Sequence, residues 1–335
     1  MAYTDIDNAG LFYNTILYTG NGSTQSITGV GFQPDLVWLK NRTDGTAAHR
    51  LTDSVRGATK EIYSNLTNAQ YTDTGGVTAF DSDGFSLGST LGYNQNTHLF
   101  VSFNFKESAT AGIDIVSYTG NGSADRSISH SLGTEPDFIM TKIHSETMNW
   151  PTYSKAMGNG VAFLDIADAW TDHSSYLNYW YPSGMGSSTF GVGDNDNTNK
   201  NTTSVISYLF SNRQGFLKAG KYKGNGSNDG TFVYTGFRPA FVLLKRTDSS
   251  TEWQLIDNQR SDQGGLNVID KVMAPSAVTY PDYDDGTNWF ADFLSNGFKL
   301  RNGGAAGNNS GSTFLYLAIA ESPFVNSKGV PTNAR

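Results

Sequence analysis

One six-residue string is written three times along the chain, as Tyr18-Thr19-Gly20-Asn21-Gly22-Ser23, Tyr118-Thr119-Gly120-Asn121-Gly122-Ser123 and Tyr222-Lys223-Gly224-Asn225-Gly226-Ser227. Each copy leads to a proline and an apolar run ending in lysine: Pro34 before Leu36-Val37-Trp38-Leu39-Lys40, Pro136 before Phe138-Ile139-Met140-Thr141-Lys142, and Pro239 before Phe241-Val242-Leu243-Leu244-Lys245. Gly20, Gly120 and Gly224 stand 100 and 104 residues apart, the length of one small domain. The spacing predicts a tandem array, divided here into an arm (1–10), repeats at 11–111, 112–215 and 216–324, and a tail (325–335). The joints are short, which favours a stiff rod or a compact cluster over loosely strung beads. The arm reads as a docking segment and the tail as loosely held.

Locally each copy reads as strand, turn, strand. Gly-Asn-Gly supplies residues that tolerate positive φ, and aromatic and β-branched residues flank it. The prolines suit the start of a strand, where a missing N–H costs least. A structural hairpin is the reading these residue types favour, with a ligand-binding loop as the alternative. A nucleotide-binding loop is excluded, since no amphipathic helix or Lys-Ser/Thr pair follows. Phe80-Asp81-Ser82-Asp83-Gly84-Phe85 and Phe293-Leu294-Ser295-Asn296-Gly297-Phe298 are a second shared element, a hairpin signal centred on Gly84 and Gly297. In the second repeat Ser183-Gly184-Met185 is the nearest counterpart, and the repeat is the most divergent. Residues 59–66 carry the only helical leaning.

With 37 glycines, 13% aromatic and only 16% charged residues, the composition is that of short strands joined by many turns, and the class is all-β. The net charge of -8, without a basic block, argues against nucleic acid. There is no cysteine, hence no disulfide or thiolate site. The N-terminus has neither the basic nor the apolar region of a secretion signal, and no apolar run is long enough to span a bilayer.

Candidate chemistry is sparse. The five histidines are scattered, without ligand spacing. No Gly-x-Ser-x-Gly elbow occurs. Asp81 and Asp83, Asp194 and Asp196, and Asp282, Asp284 and Asp285 are acidic clusters in turn-like settings, where aspartate ordinarily bonds its own backbone. Of these, Asp194 and Asp196 are the place where calcium could bind, and calcium is the only cofactor the sequence admits. Paired acids such as Asp194 and Asp282 keep open a glycan-cleaving alternative. Asp53 with Arg56 and Asp257 with Arg260 recur at identical spacing, which points to a structural ion pair. Trp150, Trp170, Trp180, Trp253 and Trp289 are mostly core candidates. Tyr179, Trp180 and Tyr181, in a stretch without counterpart, are the candidate sugar-stacking residues.

Three stretches, Tyr18 through Lys40, Asp53-Ser54-Val55-Arg56-Gly57-Ala58 and Phe80 through Gly88, resemble a repeat module of tailed bacteriophages, found particularly in virion proteins of marine and cyanobacterial phages. The third repeat is similar with Ala240 in place of the aspartate, and the second keeps the first stretch and the closing strand. The resemblance implies three tandem β-sandwiches, concanavalin-A-like or jelly-roll-like, in a virion protein made in the host cytoplasm and carried on the particle exterior, with no catalytic motif. The expected function is a non-enzymatic tail-fibre or receptor-binding component that contacts host surface glycan. The alternative is a capsid decoration or cement protein, and a tailspike-like enzyme ranks behind both. Expected partners are other virion proteins, host glycan and further copies of the chain, a trimer if it is a fibre.

Overall fold

A computed structural model describes residues 3–172, 178–261, 267–277, 282 and 290–332. Period-two alternation and turn residues yield an all-β chain. The first module comprises β1 (Tyr13–Thr19), β2 (Gln25–Thr28), β3 (Leu36–Asn41), β4 (Arg50–Asp53), β5 (Lys60–Tyr63), β6 (Tyr71–Thr72), β7 (Val77–Asp81), β8 (Gly84–Leu87), the short helix α1 (Leu91–Asn94) and β9 (Leu99–Phe105). Its sheets run β1-β9-β3-β4-β5-β6 and β2-β8-β7. The second has β10 (Ile113–Thr119), β11 (Arg126–Ser129), β12 (Phe138–Ile143), β13 (Pro151–Ser154), β14 (Gly160–Phe163), β15 (Thr171–Asp172), β16 (Thr189–Val192), α2 (Asp196–Asn199) and β17 (Ser204–Phe210), in sheets β10-β17-β12-β13-β14-β15 and β11-β16. The third has β18 (Leu217–Lys223), β19 (Phe232–Tyr234), β20 (Phe237–Arg246), β21 (Gln254–Asp257), β22 (Val268–Ile269), β23 (Ala291–Leu294), β24 (Gly297–Leu300) and β25 (Thr313–Pro323), in sheets β18-β25-β20-β21 and β19-β24-β23-β22. Each module is an antiparallel sandwich of two sheets; the one holding β3, β12 or β20 is called the large sheet, although in the third module both have four strands.

The central strands of the large sheets are buried on both faces. In β3 every residue is buried. Val37 and Leu39 meet Ile27, Phe85 and Leu87 of the small sheet, while Leu36 and Trp38 turn the other way. In β12, Ile139 faces the module's own small sheet and Phe138 and Met140 turn away. The residues that turn away, from all three large sheets, form one continuous core. At its centre the Phe241 ring lies 5.5 Å from Phe103, 5.8 Å from Tyr13 and Phe105 and 6.5 Å from Trp38, so one side chain of the third module closes the first. Of the two arrangements expected from the short joints, a stiff rod or a compact cluster, the chain takes the cluster, with a shared centre beside the inner cores of the first and second modules. The cause is the composition of β3, β12 and β20: both of their faces are apolar, and a sandwich can bury only one.

The modules are joined by the same contacts twice over. Trp150 Nε1 donates to the Tyr63 carbonyl at 2.8 Å, and Trp253 Nε1 to the Phe163 carbonyl at 2.8 Å. Met148 N reaches the Thr67 carbonyl and Thr251 N the Ala167 carbonyl, while Gln70 N reaches His144 and Trp170 N reaches Thr247. One operation therefore takes the first module to the second and the second to the third. The third also meets the first: Ser64 Oγ donates to the Pro275 carbonyl at 2.8 Å, and Asp282 binds both Arg42 and Arg260. A repeated operation that closes after three steps is a pseudo-threefold rotation. Because the contacts join like ends of the large sheets, the modules stand side by side as a three-sided prism.

Four local expectations change. Residues 59–66 hold strand β5, not helix, because Ile62 is needed in the core and Leu51 pairs with it. Pro239 lies inside β20, at a register shift where a bulge spares the missing N–H. The counterpart of the Gly84 and Gly297 element in the second module is β16, in which Phe190 pairs with Ile128 as Phe85 does with Ile27, so Ser183-Gly184-Met185 was out of register. The tail is held through 332: Ser327 N and Oγ donate to Asp7, and Val325 bridges Pro331. The arm docks with Ile6 and Ala9 buried, ending in a 3-10 turn (Ala9–Leu11), not a strand.

Candidate binding face

The Gly-Asn-Gly turns owe their form to a residue that the repeat reading did not single out. Asn94 is fully buried; its Oδ1 accepts Asn21 N at 2.8 Å, and its amide donates to Asn21 Oδ1, the Ser23 carbonyl and the Gly88 carbonyl. Asn199 does the same for Asn121, Ser123 and Gly193, and Asn308 for Asn225, Ser227 and Asn302. Each turn is then closed by an Asx bond, as from Ser23 N to Asn21 Oδ1 at 2.8 Å. Gly20, Gly120 and Gly224 are required because a Cβ there would run into the carbonyls of Gln95, Lys200 and Asn309. Gly22, Gly122 and Gly226 have φ of 72°, 69° and 70°, the left-handed region. The identity of the three turns is thus largely a folding requirement.

A second turn lies against each of the first. Thr97 N donates to the Gly20 carbonyl, Thr202 N to Gly120 and Gly311 N to Gly224, each at 2.9 Å. Thr97 and Thr202 have φ of 66° and 64°, where Gly311 has 73°. A β-branched residue in this conformation costs about 1–2 kcal/mol, and the third module shows that glycine serves the turn without strain. The paired turns therefore present Asn21, Ser23, Asn96 and Thr97 to solvent, and Asn121, Ser123, Asn201 and Thr202 likewise. The Ser23 and Ser123 hydroxyls make no hydrogen bond among the described residues. By the pseudo-threefold relation, the three turn pairs lie at one end of the prism.

Directly beneath this end sit Lys40, Lys142 and Lys245, all fully buried. Lys142 Nζ donates to the carbonyl of Thr67, in the neighbouring module, at 2.7 Å and to that of Met148. Lys245 Nζ donates to Ala167 of the second module at 2.9 Å and to Thr251 at 2.6 Å; Lys40 Nζ reaches Ala47. Burial holds each ammonium well below its ordinary range, at about 8. Lys142 and Lys245 thus tie neighbouring modules together.

The other sequence-predicted residues are dispersed. Tyr179 and Trp180 are buried, packed on Phe163 and Tyr153 in the core between the sheets of the second module, and so are not an open sugar platform; Tyr181 N bonds the Gly191 carbonyl. Asp194 and Asp196 are exposed around the start of α2, and among the described residues no three His, Cys, Asp or Glu gather to hold a metal. Asp83 accepts the amides of Gly29 at 3.0 Å and Gly31 at 2.7 Å, which hold its carboxyl below the usual range. Gly84 and Gly297 let the carbonyls of Ile27 and Val233 approach closely. The Asp53–Arg56 and Asp257–Arg260 pairs are buried ion pairs in which each guanidinium also donates to a strand carbonyl, of Leu51 and Leu255; Tyr208 of the second module donates to Asp53 at 2.7 Å. Asp282 is the shared partner of Arg42 and Arg260. Trp289, Asp284, Asp285 and His173 lie outside the described residues.

The chain matches a domain of unknown function, DUF7483, over residues 8–323. It belongs to the DUF7483 family. The match runs through all three repeats as one unit, as the shared core does. No curated protein matches the chain.

Proposed function

We propose that this member of the DUF7483 family is a non-enzymatic structural component on the exterior of a bacteriophage virion, seated on other particle proteins through the turn-lined end of its prism, as a capsid decoration or cement protein. The observation that carries the reading is the replication of one solvent-facing polar turn pair at one end of a closed body. Most of the acids and aromatics noted as candidates for chemistry support it too: Asp53, Asp83, Asp257 and Asp282 hold turns or ion pairs, and Tyr179 and Trp180 are packed in the core. The test is to image particles labelled with an antibody against the chain. Label on the head supports decoration. Particles without label, in a lysate that contains the protein, reject it.

A tail-fibre or receptor-binding component contacting glycan is the second reading, and one surface favours it. Phe232 and Tyr234 point outward from β19, 44% and 54% exposed, where the same positions of β2 and β11 carry Ser26 and Thr28, and Ser127 and Ser129. Adjacent exposed rings suit stacking on sugars. Replacing them by the sister residues, Phe232→Ser with Tyr234→Thr, abolishes adsorption to host cells on this reading and leaves it unchanged on the first.

A further inference from the structure

We infer that one copy of this chain sits on the threefold axis of a homotrimeric protein partner, its turn-lined end facing the trimer. The inference rests on the virion reading above and names the symmetry and stoichiometry of the contact.

Three observations lead to it. The tryptophan and backbone contacts between the first and second modules recur between the second and third, and the third also meets the first, so the chain forms by itself an arrangement like that of three separate subunits. Among the described residues the third module meets the first through Ser64 and Pro275 and through Arg42 and Asp282, so each module has both of its neighbours within the chain. The turn pairs are retained beyond what folding demands. The buried asparagines explain Asn21, Asn121 and Asn225 and the glycines around them, yet they do not explain why Ser23 and Ser123 are the same exposed residue, nor why Thr97 and Thr202 keep a left-handed conformation that Gly311 adopts freely.

Related surface at three related places is useful to a partner that offers three equivalent places of its own. On the axis of a trimer all turn pairs engage together, and each weak contact raises the effective concentration of the next. Off the axis only one can be satisfied. The turns present amides and hydroxyls, with Asp125, Lys223 and Asp229 exposed beside them, so the matching surface is polar and hydrogen-bonding. Strict symmetry is not required: the third module, with Ser310 and Gly311 for Asn and Thr, makes a related but weaker contact.

The experiment has a solution arm and a particle arm. In solution, light scattering of the full chain gives the mass of a single chain, 36.3 kDa; a stable trimer of chains overturns the inference. In a reconstruction of the intact particle without imposed local symmetry, the chain is expected on a local threefold axis, one copy per three partner subunits. The Ser23→Arg, Ser123→Arg double variant, with an unchanged melting temperature, is expected to lose at least about tenfold in copies per particle. A chain found in the particle but off any threefold axis, or a variant incorporated at the wild-type copy number, overturns the inference and leaves the virion reading standing. A chain absent from the particle overturns both.

Discussion

Asn94 shows how much one side chain can organise. Its amide is saturated by an Asn21 exchange and two backbone carbonyls, all removed from solvent. Truncation to alanine strands those groups, and each buried polar atom left unpaired costs about 1–3 kcal/mol. Asn94→Ala is therefore expected to lower stability by ~2–4 kcal/mol, read from the urea midpoint; a loss within the ~0.5 kcal/mol typical of surface changes contradicts the assignment. His49 is the second informative residue. It stands where Trp150 and Trp253 stand in the other modules and faces the Ala274 backbone, but its ring nitrogens lack a hydrogen bond of normal geometry. Burial, with Lys40 and Arg260 nearby, pushes its pKa well below 6.5, against a smaller upward pull from the Ala274 carbonyl. A depressed folded pKa means that the unfolded chain binds more protons, so stability falls as pH drops below 6.5, by up to about 1.4 kcal/mol per unit. His49→Phe removes that share of the slope between pH 7.5 and 5, while His144, held at about 4 mainly by burial, keeps its own. An unchanged slope in the variant excludes the seam histidine as a source of acid sensitivity.

Among elements, β3, β12 and β20 each carry a buried lysine near their end, and those of β12 and β20 reach into the neighbouring module. Each amine falls from 10.5 to about 8 on folding because burial disfavours the charge. The unfolded chain thus holds more protons between these values, and stability lost as pH falls through 10.5 towards 8 is regained on raising it. The buried phenols of Tyr18, Tyr93 and Tyr208 act oppositely: their pKa values rise well above 10, so they cost stability once pH exceeds 10. The expected profile climbs from pH 8 to about 10 and then falls. Lys142→Met lowers the climb by roughly one third and lowers stability throughout, since the Thr67 and Met148 carbonyls lose their donor. Chemical denaturation across pH 7.5–10 measures both effects, and an equally steep climb in the variant rules out the lysine as its origin.

For the whole molecule, the shared core predicts one cooperative unit. Trp38, Phe138 and Phe241 belong to the same cluster though they come from three modules. Calorimetry is expected to give a single transition with equal calorimetric and van't Hoff enthalpies, and residues 112–215 expressed alone are expected not to fold. Resolved transitions, or a folded isolated module, contradict a common core.

The sequence by itself determined the strands, the repeat length and the turns, because these depend on alternation within a few residues and on the backbone freedom of Gly-Asn-Gly. The hairpin at Ser82-Asp83 and the pairing of Asp53 with Arg56 were legible for the same reason: the partners are near neighbours in the chain. Asn94 was not, since it lies 73 residues from the turn it holds, although an asparagine recurs at the equivalent Asn199 and Asn308. Tyr179 and Trp180, candidates for sugar stacking, are packed in the core instead, because an aromatic run looks alike in a core and on a platform. Only the tertiary structure decided that the three repeats close into a ring. The apolar character of both faces of β3, β12 and β20 was on the page, but burial of a second face is decided by what arrives there from a hundred residues away, and local sequence carries no record of that distance.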